Sequence, residues 1–152
     1  VTPEFPSPER DDALERALSE LRALSAKRKA PTRYDARDVL LALGEAIRAG
    51  DESIVERALA ELRSITPTFG ARWPAVVADE IELACTEHVR SVDPQYLEHP
   101  RYDFEYTVAA RERLDLRLRA AERLGLPATS EWSSRVECAD ALLAQTLRRR
   151  AA

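Results

Sequence analysis

Apolar positions recur along this chain at intervals of three and four, interrupted by short polar or proline-bearing stops. That period is the signature of amphipathic helices, and no competing run of alternating β-branched residues is present. The clearest stripe is Ile54, Val55, Ala58, Leu59, Leu62 and Ile65, with Glu56, Arg57, Glu61 and Arg63 opposite, and it predicts a helix over 52–65. Upstream, Val39, Leu40, Leu43, Ala46 and Ile47 predict a helix from about Asp35 to Ala49. Ala49-Gly50-Asp51 separates the two. Gly50 suits the left-handed position that closes a helix, where glycine carries the least steric penalty. Asp51 suits the next N-cap, with its carboxylate accepting a backbone N–H. So short a connection predicts an antiparallel helical hairpin.

The same punctuation extends in both directions. Ser7-Pro8-Glu9 reads as N-cap, N1 proline and acidic first turn of a helix reaching about Lys29, and Pro31 stops it. Its seam of Leu14, Ala17, Leu21 and Leu24 is narrow, like that of a coiled coil. It predicts a helix that packs peripherally or mediates self-association. Lys27-Arg28-Lys29 forms its basic C-terminal end, where cations oppose the helix dipole. A fourth helix is predicted from near Pro74 to Val92, with Phe69 and Trp73 in the connector before it. Asp93-Pro94 opens a turn that Pro100 ends. A fifth helix spans roughly Tyr102 to Leu124 and is closed by Gly125. Ser130 caps a sixth, which carries Trp132, Val136, Ala139, Leu143 and Leu147 on one face and ends in Arg148, Arg149 and Arg150.

The expected fold is therefore all-α: a flexible Pro-rich leader over 1–7, then a single-domain bundle of about six helices over 8–152, built from antiparallel hairpins. A chain of 152 residues can bury a core without staples. One hairpin resembles a tetratricopeptide unit, with Gly44 in its first helix and Ala58 in its second. The second-helix alanine and the terminal proline fall out of step with that pattern, and the two hairpins differ in length and turn, which excludes a repeat.

Composition narrows the partners. A net charge of −4 and a pI near 5.4 give no footprint for nucleic acid or an anionic membrane. No apolar run of about 18 residues is present, so no transmembrane helix is expected. The first ten residues lack the charged start and apolar centre of a signal peptide. Cys85 and Cys138 are too few and too far apart for a disulfide framework or zinc ribbon, and reduced, buried thiols in a cytoplasm are expected. Lys27 and Lys29 are the only lysines beside abundant Arg and Ala, a bias that suits a GC-rich bacterial genome. No methionine occurs even at position 1, so Val1 is either an alternative start or a trimmed end.

Candidate chemistry is sparse. His88 follows Ile81, Ala84 and Cys85 at helical spacing, which places it on the buried stripe of the fourth helix. A core histidine with a satisfied hydrogen bond is the preferred reading, and a second polar group for a ligand site is the alternative. A Cys-x-x-His pair supplies only two of the ligands that zinc needs. His99 lies in the segment 96–106, where four of the nine aromatics gather. Tyr96, Glu98, His99, Tyr102 and Tyr106 are the candidate ligand- or partner-binding residues, because tyrosine offers a rigid amphipathic surface. A connector whose aromatics plug the end of the bundle is the alternative. Neither histidine has the Glu-x-x-His spacing of a di-iron carboxylate site. The Ala49-Gly50-Asp51 hairpin resembles the entry to a histidine-phosphotransfer helix, but Leu59 to Ile65 contains no histidine. Phosphate loops, nucleophile elbows and His-Glu-x-x-His are absent.

Arg111, Arg113, Arg117, Arg119 and Arg123 on the fifth helix could face phosphates. Glu105, Glu112, Asp115 and Glu122 interleave them, so a solvated, salt-bridged face is expected, with Asp115–Arg119 paired at i,i+4. The function expected from these features is non-enzymatic: an intracellular helical protein binding another protein or itself, the latter as a homodimer through helix 8–29. No catalytic residue, cofactor or metal is assigned, and no membrane contact is expected. A small-molecule pocket at 96–106 is the alternative, and a nucleic-acid module using helix 102–124 is a weaker one.

Overall fold

Glycine inside a helix lets two backbones touch, and Gly44 does this at the centre of the molecule. In the computed structural model, which describes residues 8–101, 104–126 and 129–151, a Cβ at Gly44 would lie 2.3 Å from the carbonyl oxygen of Leu116. Helix α2 (Arg33–Arg48) thus crosses α6 (Phe104–Arg123) at backbone contact. α2 also packs on α1 (Pro8–Ala26), α3 (Glu52–Ile65) and α4 (Arg72–Ser91), and so forms the hub of the bundle. A four-residue turn, α5 (Pro94–Leu97), and the C-terminal α7 (Ser130–Ala151) complete the order, with a single 3-10 turn at Thr66–Phe69. No strand occurs among the described residues. The fold is an all-α bundle, as the periodicity predicts.

Local chemistry sets the boundaries. At the end of α2, Gly50 takes φ +74°, Asp51 N–H donates to Ala46 O at 3.2 Å, and Gly50 N–H donates to Ile47 O at 3.0 Å. These two bonds satisfy carbonyls that the helix leaves open. Asp51 departs from expectation. It precedes α3, but among the described residues its side chain caps nothing, and Oδ2 is buried without a hydrogen-bond partner. Its ψ of 72° lies well short of the extended value at Thr32, whose side chain does cap α2 in a reciprocal capping box with Asp35. The last helix is capped by Thr129 rather than Ser130: Thr129 Oγ1 accepts from Trp132 N–H at 3.4 Å, and Ser130 is already helical.

The α1 stripe is wider than expected. Leu18 is buried with Leu14, Ala17 and Leu21, while Leu24 is only half-buried. This stripe packs on α2 and α3, so α1 is integral to the core rather than peripheral. Full burial of each leucine contributes roughly 1.5–3 kcal/mol. The second expected hairpin also differs. α7 packs mainly on α4, not on α6, and its buried residues are Val136, Ala139, Leu143 and Thr146.

Two apolar clusters result. The main one joins α1, α2, α3, α4 and α6 and takes Val136 from α7. A satellite of Val92, Leu97, Ala139 and Leu143, with Val89, Phe104 and Leu142 against it, sits beyond the end of α4. Arg150 closes that end. It donates to Leu97 O at 2.6 Å and His99 O at 3.2 Å, and lies 4.8 Å over the Phe104 ring.

Candidate functional site

Polar residues on core-facing helix positions are costly unless paired, and two such clusters occur among the described residues. The first is built on Glu80, which follows Val76 by four and precedes Ala84 by four on the buried face of α4. Its carboxylate is 1% exposed. Arg33 Nη1 donates to Oε2 at 2.8 Å and Arg117 Nε donates to Oε1 at 2.9 Å. Arg117 is itself buried and also donates to Arg113 O at 3.0 Å. One buried carboxylate thus ties α2, α4 and α6 together.

The second cluster lies at the seam between the two apolar clusters. Helical register places it there: His88 falls between Cys85 and Val92 on α4, Asp140 between Val136 and Leu143 on α7, and Arg111 between Thr107 and Leu114 on α6. Asp140 Oδ1 stands 2.7 Å from His88 Nε2, and Arg111 Nε donates to Oδ1 at 2.9 Å and to Oδ2 at 3.1 Å. A carboxylate only accepts, so Nε2 carries the imidazole proton and Nδ1 keeps a lone pair. Among the described residues Nδ1 has no partner, and neither does Arg111 Nη1. Burial holds the His88 pKa below its ordinary value, against the opposing pull of Asp140. Below the imidazole, Ser91 Oγ donates to His88 O at 2.7 Å, and Thr107 Oγ1 donates to Ser91 O at 3.4 Å.

A carboxylate-oriented histidine is the arrangement of a general base. Here the imidazole is completely shielded from solvent, so no substrate proton can reach it in this conformation. Cys85, one turn earlier, is buried, and burial pushes its thiol pKa up, away from the nucleophilic thiolate. The core reading of His88 is the one the geometry favours. No group of three His, Cys, Asp or Glu among the described residues is placed to hold a metal ion.

The aromatic connector does not gather into a recess among its described residues. Tyr96 and Tyr106 are more than half exposed, and Glu98 and His99 are exposed as well. His99 Nδ1 accepts from Arg101 N–H at 3.1 Å. Tyr102 lies outside the described residues. The α5 turn points Leu97 inward, which leaves its neighbours Tyr96, Glu98 and His99 outside. Leu97 and the half-buried Phe104 fill that end of the molecule instead.

The Arg-rich helix is salt-bridged, but not on a solvated face alone. Arg119 pairs with Asp115 at 2.6 Å as expected, and Arg123 reaches Glu52 and Glu56 on α3 at 2.6 and 2.9 Å. Arg111 and Arg117 turn inward to Asp140 and Glu80. These carboxylates were legible as acids on apolar stripes. Their partners were not, because they come from other helices.

One opening adjoins the polar seam. A groove of about 450 Å³ runs between the end of α4 and α7, lined chiefly by Val89, Val92, Pro94, Ala139 and Leu142, with Asp93, Arg135 and the exposed Cys138 beside them. No helix among the described residues is long and apolar enough to cross a membrane. No family model matches the chain, and neither the curated proteins nor the solved structures give a significant match.

Proposed function

We propose that this chain is a non-enzymatic cytoplasmic module that binds another protein through the groove between α4 and α7. The observation that carries the reading is the unfinished satellite core. It contains four buried apolar residues, and Val89 and Leu142 stand half-buried at the groove. Two or three aliphatic side chains from a partner's amphipathic helix would complete it, in the helix-in-groove mode of recognition. Asp93 and Arg135 flank the apolar floor and would pair with charges on either side of those anchors. The sealed positions of His88 and Cys85 support binding over catalysis. The covered stripe of α1 directs attention away from a homodimer through helix 8–29.

Cys138 gives the test. A benzophenone attached there and irradiated in an extract of the source cells is expected to form one discrete protein adduct. Leu142→Glu is expected to abolish that adduct without changing the helical content. An adduct that persists in Leu142→Glu, or none in the parent chain, would refute the reading. An adduct of twice the chain mass would replace the foreign partner with a second copy.

A further inference from the structure

Three helices of this protein end in the same backbone closure, and only one of them has a side chain at its left-handed position. α2 closes through Gly50 at φ +74° and α6 through Gly125 at φ +75°. α1 closes through Arg28 at φ +55°, with Arg28 N–H donating to Ser25 O at 3.2 Å and Lys29 N–H to Leu24 O at 2.9 Å. In this region the Cβ of any L-residue crowds the following carbonyl oxygen, so Arg28 is held at a strained position that glycine would occupy freely. Strain retained at one site is a pointer to function.

The surroundings of Arg28 indicate which function. A cavity of about 390 Å³ is lined by Ser25, Arg28, Lys29, Ala30, Thr68 and Phe69, between the end of α1 and the 3-10 turn. The two segments that frame it, 21–34 and 62–78, contain no Asp or Glu at all. They carry Arg22, Lys27, Arg28, Lys29, Arg33, Arg63 and Arg72, in a chain whose net charge is −4. Among the described residues, Arg22 and Arg33 are neutralised by Glu61 and Glu80, while no ion pair engages Lys27, Arg28 or Lys29. The Ser25 and Thr68 hydroxyls lie 2.8 Å apart in the cavity wall, and Phe69 is half-buried beside them. Helix C-termini normally repel anions. Here the carbonyls of Ala23, Leu24 and Ser25 are already taken by the N–H groups of Lys27, Lys29 and Arg28.

We propose that this cavity binds a small organic phosphate. The Arg28 guanidinium and Lys29 ammonium meet the phosphate oxygens, and a planar or apolar part of the ligand rests on Phe69. The hydroxyl protons are already used, since Thr68 Oγ1 donates to Ile65 O at 2.7 Å and Ser25 Oγ then donates to Thr68. Arginine's planar fork suits phosphate geometry, and lysine adds a point charge. The site is independent of the α4–α7 groove and of the function proposed for it.

Pyrophosphate and ADP serve as probes, titrated against the full chain by calorimetry and by amide chemical shifts. Both are expected to bind, with shifts centred on residues 25–30 and 66–70, and ADP is expected to bind more tightly. Arg28→Gly separates ligand binding from fold: it is expected to weaken both probes at least tenfold, yet to raise the melting temperature by about 2–4 °C as strain is released. Phe69→Ala is expected to weaken ADP and leave pyrophosphate unchanged. Failure of both probes to bind at millimolar concentration would overturn the proposal. So would undiminished binding in Arg28→Gly, or a lower melting temperature in that variant. Binding of single-stranded RNA with no response to either small probe would assign the basic patch to a polymer and also overturn it.

Discussion

Gly44 shows how one position can invert a general preference. In an isolated helix, glycine is worse than alanine by about 1 kcal/mol. At residue 44 a methyl group would meet the Leu116 backbone, which cannot rotate away as a side chain could. Gly44→Ala is therefore expected to destabilise the protein by about 1–3 kcal/mol in urea unfolding, the cost of forcing an overpacked core apart. A stabilised variant would mean that α2 and α6 do not meet here. Glu80 is the second decisive residue. Replacing it with Gln removes the countercharge of the buried Arg117, and about 3–5 kcal/mol of stability is expected to be lost, since the desolvated guanidinium remains. Neither result could be foreseen from composition. In the sequence Gly44 is a glycine within the first helix of a hairpin, and Glu80 is an acid on the α4 stripe whose partners lie on other helices. Each acquires its role from a residue more than thirty positions away. His88 was legible, because Ala84, Cys85 and Val92 lie three or four positions from it and are apolar. Tyr96 and Tyr106 stand more than half exposed and Tyr102 lies outside the described residues, so an aromatic cluster in sequence is not by itself a recess in space.

At the scale of elements, α7 is the least securely held helix. Its 22 residues bury only Val136, Ala139, Leu143 and Thr146, and polar clasps supply the rest: Asp140 to His88 and Arg111, and Arg150 to the carbonyls of Leu97 and His99. Amides of α7 are expected to exchange with deuterium faster than those of α2, whose packing partners surround it. Uniform protection of the two helices would contradict this. The His88 clasp also makes the docking of α7 sensitive to acid. The folded imidazole has a depressed pKa, so its contribution to stability is complete above the unfolded value of about 6.5 and is lost as pH falls through the folded value. Between pH 7 and 5 the parent chain is expected to lose stability with a slope of up to about 1.4 kcal/mol per pH unit relative to His88→Gln. Glu52, held below the ordinary carboxylate range by its hydrogen bond to Arg123, responds only at lower pH. Parallel pH profiles for parent and variant would show that His88 does not titrate with folding. The helix boundaries themselves were legible to within a few residues, because proline, glycine and capping side chains act locally. The pairing of α7 with α4 was not, because a short loop after α6 suggested a hairpin that the packing does not make.

The whole molecule depends on α1 more than a narrow seam implied. Leu18 widens the stripe, and α1 packs on the α2 hub together with α6. Deleting residues 1–30 is expected to abolish the cooperative thermal transition and leave a chain that binds hydrophobic dyes. A sharp transition in the truncated protein would restore α1 to the periphery. The crossing of α2 and α6 has a further consequence, for the order of events during synthesis. About 75 residues separate the end of α2 from the end of α6. At roughly 5–20 residues per second, the ribosome takes about 4–15 s to add them. For that interval the growing chain carries a finished α2 with one greasy flank bare, and the slot reserved for Leu116 beside Gly44 stands open to whatever the crowded cell brings against it.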